Sequence, residues 1–139
     1  MIADESGPSF GSSEGEIGME EITLFDCDGT AIAYVAPDDE HTIYLWSGKP
    51  VAYLDGEHIY GFNGKHLGWF EEGVMWDHTG AQAGFIIKTL PVFAKFEPFK
   101  AFKQFKPFKA FKEFAPFKPF KSAVISKTPL SAFLGRGSV

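Results

Sequence analysis

The 139-residue sequence predicts an all-β fold of four repeated antiparallel β-hairpins in a pseudo-fourfold arrangement, followed by an extended, Phe-striped basic segment. Three observations carry the prediction. The turn dipeptides DG, SG, NG and TG end at Gly29, Gly48, Gly64 and Gly80, spaced 19, 16 and 16 residues apart. Short runs rich in β-branched and aromatic residues flank each of them, the signature of a hairpin. From Phe93 to Phe120 every third residue is phenylalanine, a period that suits neither an amphipathic helix nor a strand.

Residues 1–18, MIADESGPSFGSSEGEIG, hold Gly, Ser and Glu with little to bury and read as a disordered leader, with Met19 an equally good start. The hairpin domain is placed at residues 19–88. Five and four positions before each repeat glycine stand Leu24-Phe25, Ile43-Tyr44, Ile59-Tyr60 and Met75-Trp76; three to five after it stand IAY, VAY, LGW and AGF. This is an internal repeat, and each unit is one hairpin. Alternation in TIYLW (42–46) sends Ile43 and Leu45 to one face and Tyr44 and Trp46 to the other, so both faces expect cover. The small residues Ala33, Ala52, Gly68 and Gly84 mark places where a bulky neighbour or another backbone comes close. One hairpin is barely stable in water, so the four must share a core of about eight short strands.

The stretches TIYLWSGKPVAYLDG and HIYGFNGKHLGWFEEGVMWDHTGAQAGF resemble the bacterial domain described as a four-fold beta flower, over roughly residues 20–87. GKHLGW and DHTGAQAGF carry the resemblance most strongly. It implies the fold and no catalytic residues. Similar chains bear apolar-basic triplet tails built on Leu where this one has Phe, which implies that the tail belongs to the design.

That tail, residues 89–122, repeats a nine-residue unit: FEPFKAFKQ, FKPFKAFKE, FAPFKPFKS. A helix would smear a period of three around all its sides. A strand would lose ladder donors at Pro98, Pro107, Pro116 and Pro119, and the collagen triple helix needs a glycine every third residue. Polyproline II has three residues per turn and accepts proline. It draws three lines: one of Phe, one mostly of Lys, one of Pro and small or polar residues. Straight, the 28 residues would span roughly 87 Å, about three times the diameter of a 70-residue domain. The tail must bend around its own domain, cross to another subunit or meet a partner. The candidate interaction residues are Phe93, Phe96, Phe99, Phe102, Phe105, Phe108, Phe111, Phe114, Phe117 and Phe120. Self-association is the first expectation, another protein or an anionic membrane surface the next, and the acidic neighbouring domain argues against nucleic acid. Residues 123–139 read as a flexible C-terminal tail.

Charge divides the chain in the same way. Residues 1–90 carry a net −13 and residues 91–139 a net +8, so the two parts should attract each other. The single Cys27 excludes an intrachain disulfide, no secretory signal opens the chain, and no apolar run approaches the roughly 20 residues of a membrane-spanning helix. A cytoplasmic location is the expectation.

Motifs that look catalytic have plainer accounts. LFDCDGT (24–30) matches the nucleophile motif of the haloacid dehalogenase superfamily, with Asp26 and Asp28 in the acidic roles. The chain runs on into a second strand, AIAYVA, where that superfamily needs a helix, so a hairpin turn is expected there. His41, His58, His66 and His78 occupy different places in the repeat, so symmetry is not expected to gather them, and neither a metal nor a cofactor is predicted. The sequence therefore reads as a non-enzymatic assembly or interaction module. The alternative is a carbohydrate-type ligand site on exposed aromatics, with Trp46, Trp69 and Trp76 as its residues.

Overall fold

The structure, a computed structural model, describes residues 20–139; the leader expected at 1–18 lies outside them. Eight strands run in chain order: β1 Ile22–Phe25, β2 Ala31–Val35, β3 Thr42–Leu45, β4 Pro50–Asp55, β5 His58–Gly61, β6 His66–Glu71, β7 Val74–Trp76 and β8 Gln82–Phe85. Each pairs antiparallel with its neighbours, and β8 returns to β1 through Phe25 and Phe85 to close a barrel. Closure leaves no free edge to aggregate.

The four repeat glycines make four equivalent turns. In each, the glycine N–H donates to the carbonyl three residues back, as Gly29 to Asp26 and Gly48 to Leu45, at 2.8–3.1 Å. The glycines hold φ between +84° and +91°, and the ladder slips by one residue beside each turn. This is the longer hairpin loop with a left-handed glycine and a bulge, rather than the two-residue turn its dipeptides suggest.

Inward-facing side chains from all eight strands meet in one core: Leu24, Ala33, Val35, Ile43, Val51, Ala52, Ile59, Leu67, Met75 and Ala83. The last part of the chain fills the middle of it. Helix α1, Leu130–Gly135, places Leu130, Phe133 and Leu134 at 1% exposure or less among those residues. Two small repeat positions face this plug: a methyl on Gly84 would come 2.9 Å from Leu130, and one on Gly68 would stand 3.0 Å from the Phe133 ring while overlapping the carbonyl oxygen of Trp76 on the neighbouring strand. The C-terminus is pinned by Asn63, whose side-chain amide donates to the Arg136 carbonyl at 2.7 Å. The flexible tail expected at 123–139 is thus corrected: LSAFL is a short apolar helix face, legible only once a barrel lumen needs filling.

Outside the barrel, cross-strand aromatic pairs occupy the four grooves between hairpins: Tyr34 with Tyr44, Tyr53 with Tyr60, Trp69 with Trp76 and Phe85 with Phe25. All eight are at most 8% exposed. What covers three of these grooves is the basic segment.

Candidate functional site

Residues 93–122 wrap the barrel as an extended belt with no helix or strand of their own. The nine-residue unit of the tail matches the hairpin unit of the barrel. The amides of Lys95, Gln104, Glu113 and Ser122, nine residues apart, donate to the carbonyls of Gly29, Gly48, Gly64 and Gly80 at 2.9–3.0 Å. Between these anchors Ala101 donates to Trp46 and Ala110 to Phe62, while Pro119, at the third equivalent place, has no N–H to give. The carbonyls of Phe93, Phe102, Phe111 and Phe120 lie against the four glycines so closely that a β-carbon there would overlap them. Glycine is required at these turns both for its φ and for the belt's approach.

The lysine line faces the barrel. Lys100 and Lys103 share Glu21; Lys106 bonds Glu40 at 2.8 Å and reaches Asp38 at 3.5 Å; Lys109 bonds Glu40 at 2.7 Å. Lys112 meets Asp55 at 2.6 Å, Lys118 meets Glu57 and Glu71, and Lys121 meets Glu71 and Glu72 at 2.7 Å. These carboxylates lie just before β1, in the loops β2–β3, β4–β5 and β6–β7, and at the strand ends Asp55 and Glu71 that lead into the last two loops, at the end opposite the glycine turns. Lysine stems therefore cross the aromatic grooves to reach them, and the ammonium groups lie 4.5 Å from the Tyr34 ring (Lys100), 4.1 Å from Tyr53 (Lys109) and 5.3 Å from Trp76 (Lys121). Hydrogen bonds from Lys118 and then Lys121 hold the Glu71 carboxyl down at about 2. Those from Lys106 and Lys109 lower Glu40. Burial raises the Tyr34 phenol to about 12, with Glu21 and Tyr44 adding to it.

The phenylalanine line faces away. All ten, Phe93 through Phe120, are 95–103% exposed, so their rings pack against none of the described residues. Exposure of this kind is exceptional: a soluble monomer's largest apolar patch is on the order of 300–600 Å², whereas ten phenyl side chains amount to about 1,500–2,500 Å². The belt does order against a surface, its own barrel, but the lysines and the backbone make the contact.

The other candidates fall elsewhere. Trp69 and Trp76 are buried, and half-buried Trp46 donates its indole N–H to the Pro98 carbonyl at 3.0 Å. The aromatic faces a saccharide would stack on lie in grooves that the belt crosses. Asp26 is a turn residue: its Oδ1 accepts the N–H groups of Asp28 and Thr30, each at 3.0 Å, as Asp77 does for Thr79 and Ala81 in the fourth turn.

The histidines correct the expectation drawn from their spacing. His58 Nδ1 lies 3.0 Å from His66 Nε2, and His66 Nδ1 lies 2.9 Å from His78 Nε2. The three rings form a chain beside Trp69, whose ring centroid is 4.8 Å from that of His66. Burial, then His78 and His58, pushes His66 down to about 4. The belt closes over this chain, since Glu113 Oε2 accepts the His66 backbone N–H at 2.7 Å and the Glu113 carbonyl accepts the Tyr60 hydroxyl at 2.9 Å. Among the described residues no group of three or more His, Cys, Asp or Glu has a metal-holding arrangement. The unequal repeat offsets hid the cluster because neighbouring strands run in opposite directions: His58 and His66 stand on the two paired strands of one hairpin, and the start of β6 at His66 lies beside the end of β7, just before His78.

These features define a class: a closed eight-stranded barrel of four hairpin units, plugged by its own C-terminal helix and belted by its own triplet repeat. The sequence matches the family described as 4-fold beta flower protein over residues 22–134, and the chain belongs to that family. The match spans belt and plug as well as the hairpins. No curated protein and no solved structure matches the chain. Among the described residues no helix is long and apolar enough to cross a membrane.

Proposed function

We propose that the protein is a non-enzymatic interaction module whose contact surface is the outward phenylalanine line of the belt. The observation that carries this reading is the division of labour within one strict repeat. Lysine and backbone attach the belt to the barrel, and phenylalanine, which costs about 1.5 to 3 kcal/mol to leave in water relative to burial, contributes nothing to that attachment. A side chain that costly, kept ten times in register and packed against none of the described residues, suits an external apolar partner. A merely structural belt could have carried any polar residue at those places.

The test replaces Phe96, Phe105 and Phe114 by Gln and measures thermal stability alongside retention on an apolar chromatographic surface. Unchanged stability with much earlier elution supports the reading. A large loss of stability, or unchanged retention, would show that the phenylalanines serve the fold or are not the contact.

A further inference from the structure

Which partner fits the outward phenylalanine line is a question that rests on the line being a contact surface, as proposed above. The belt's period is the first clue. At the polyproline II pitch of three residues per turn and about 3.1 Å per residue, neighbouring phenylalanines would stand about 9.3 Å apart along the line. A second such line can interleave with it, and rings then follow one another at about 4.7 Å, within the 4.5–7 Å of favourable aromatic pairs. Smooth apolar surfaces gain nothing from that spacing; a matching comb does.

Charge narrows the choice further. Seven of the eight belt lysines are already paired with carboxylates of the barrel, so most of the belt's positive charge is neutralised before it could meet anionic headgroups. The full chain carries a formal net of −5 at pH 7, a modest charge that leaves limited repulsion between copies, weaker still in salt.

Area points the same way. A stable interface takes about 800 Å² from each partner, and the line offers two to three times that amount. Being wrapped past three of the four grooves, it can give more than one neighbour a share.

We propose that the phenylalanine line is a self-association surface, and that its partner is the phenylalanine line of a second copy of this chain, the two interleaved. Sedimentation velocity of the full chain should show dimers and larger species in the micromolar range. Substituting Phe99→Gln, Phe108→Gln and Phe117→Gln should weaken association by about a hundredfold or more while the circular dichroism spectrum is kept. Contact between lines is read separately with Phe108→Cys in a Cys27→Ser background, labelled with pyrene: excimer emission should appear with assembly, vanish when excess unlabelled Cys27→Ser protein is mixed in, and persist when the added protein is the triple variant. Oligomers that persist in the triple variant, or that give no excimer, overturn the proposal. A chain that stays monomeric yet co-sediments with neutral phosphatidylcholine vesicles overturns the second copy as partner and leaves the apolar contact surface standing. A monomer that ignores the vesicles too overturns both.

Discussion

Replacing Gly48 by alanine tests whether the belt is held by contact with the turns. Gly48 has φ +91°, and the added methyl would overlap the Phe102 carbonyl oxygen and stand 2.9 Å from its carbon. Gly56 supplies the control, since it has φ +61° and nothing within 4 Å of a β-carbon. Both substitutions incur left-handed backbone strain, about 1–2 kcal/mol. Only Gly48→Ala also pushes the belt away, loosening the amide bonds from Gln104 to Gly48 at 2.9 Å and from Ala101 to Trp46 at 3.1 Å. At about 0.5–1.5 kcal/mol for each bond, the excess should be about 1–3 kcal/mol. Urea unfolding gives the difference between the two variants, and native-state hydrogen exchange locates it at the amides of Ala101 and Gln104. Equal destabilisation with unchanged protection at those two amides would refute the docking argument.

Three other outcomes follow from the geometry. His66 is held neutral to about 4 against an ordinary 6.5, so the unfolded chain takes up that proton first. Folding stability should fall by up to about 3 kcal/mol as pH drops from about 6.5 to 4. His66→Gln should flatten that part of a stability-against-pH curve, and parallel curves would rule the account out; the groups facing His66 are His58, His78 and Glu113, with Tyr60 and Trp69 packed on the ring. Glu71, held at about 2 by Lys118 and Lys121, contributes stability that is present above 4.5 and lost as pH falls towards 2. Glu71→Gln should cost about 1 kcal/mol or less at neutral pH, speed exchange at the Ser122 amide, and lose its effect in about 1 M salt. Phe133→Ala, which empties part of the barrel lumen, should cost about 3–5 kcal/mol in denaturant unfolding; a cost under 1 kcal/mol would mean that the helix does not hold the barrel closed.

The hairpins were legible because their signals are local. Glycine at φ near +90° and short runs of β-branched and aromatic residues act over a few positions, and four copies of one pattern made the units certain. The belt was half legible. Its period of three and its charge attraction to the acidic part of the chain followed from composition, and its length required it to bend around its own domain, cross to another subunit or meet a partner; that it bends around its own barrel, and which line turns inward, did not follow. Phe and Lys are equally regular. The deciding fact is that acidic residues cap the far end of each belted groove, after the aromatic pairs have already filled its floor; that conjunction exists only when Tyr34 and Tyr44, or Trp69 and Trp76, have been brought side by side.

The plug and the histidine chain were not legible, for the same reason at longer range. LSAFL is too short to announce a core helix, and its burial depends on a lumen lined by Ala33, Ala52, Gly68 and Gly84. His58, His66 and His78 stand at unequal offsets, which antiparallel strands fold into adjacency. By itself the sequence determined the repeat, the places of its turns and the triplet spacing of the basic segment, because these rest on backbone preferences and on spacing within a few residues. Tertiary structure alone decided that lysine docks and phenylalanine faces outward, that the C-terminus fills the barrel, and that three histidines touch, because each depends on which surfaces closure brings together and which it leaves to water.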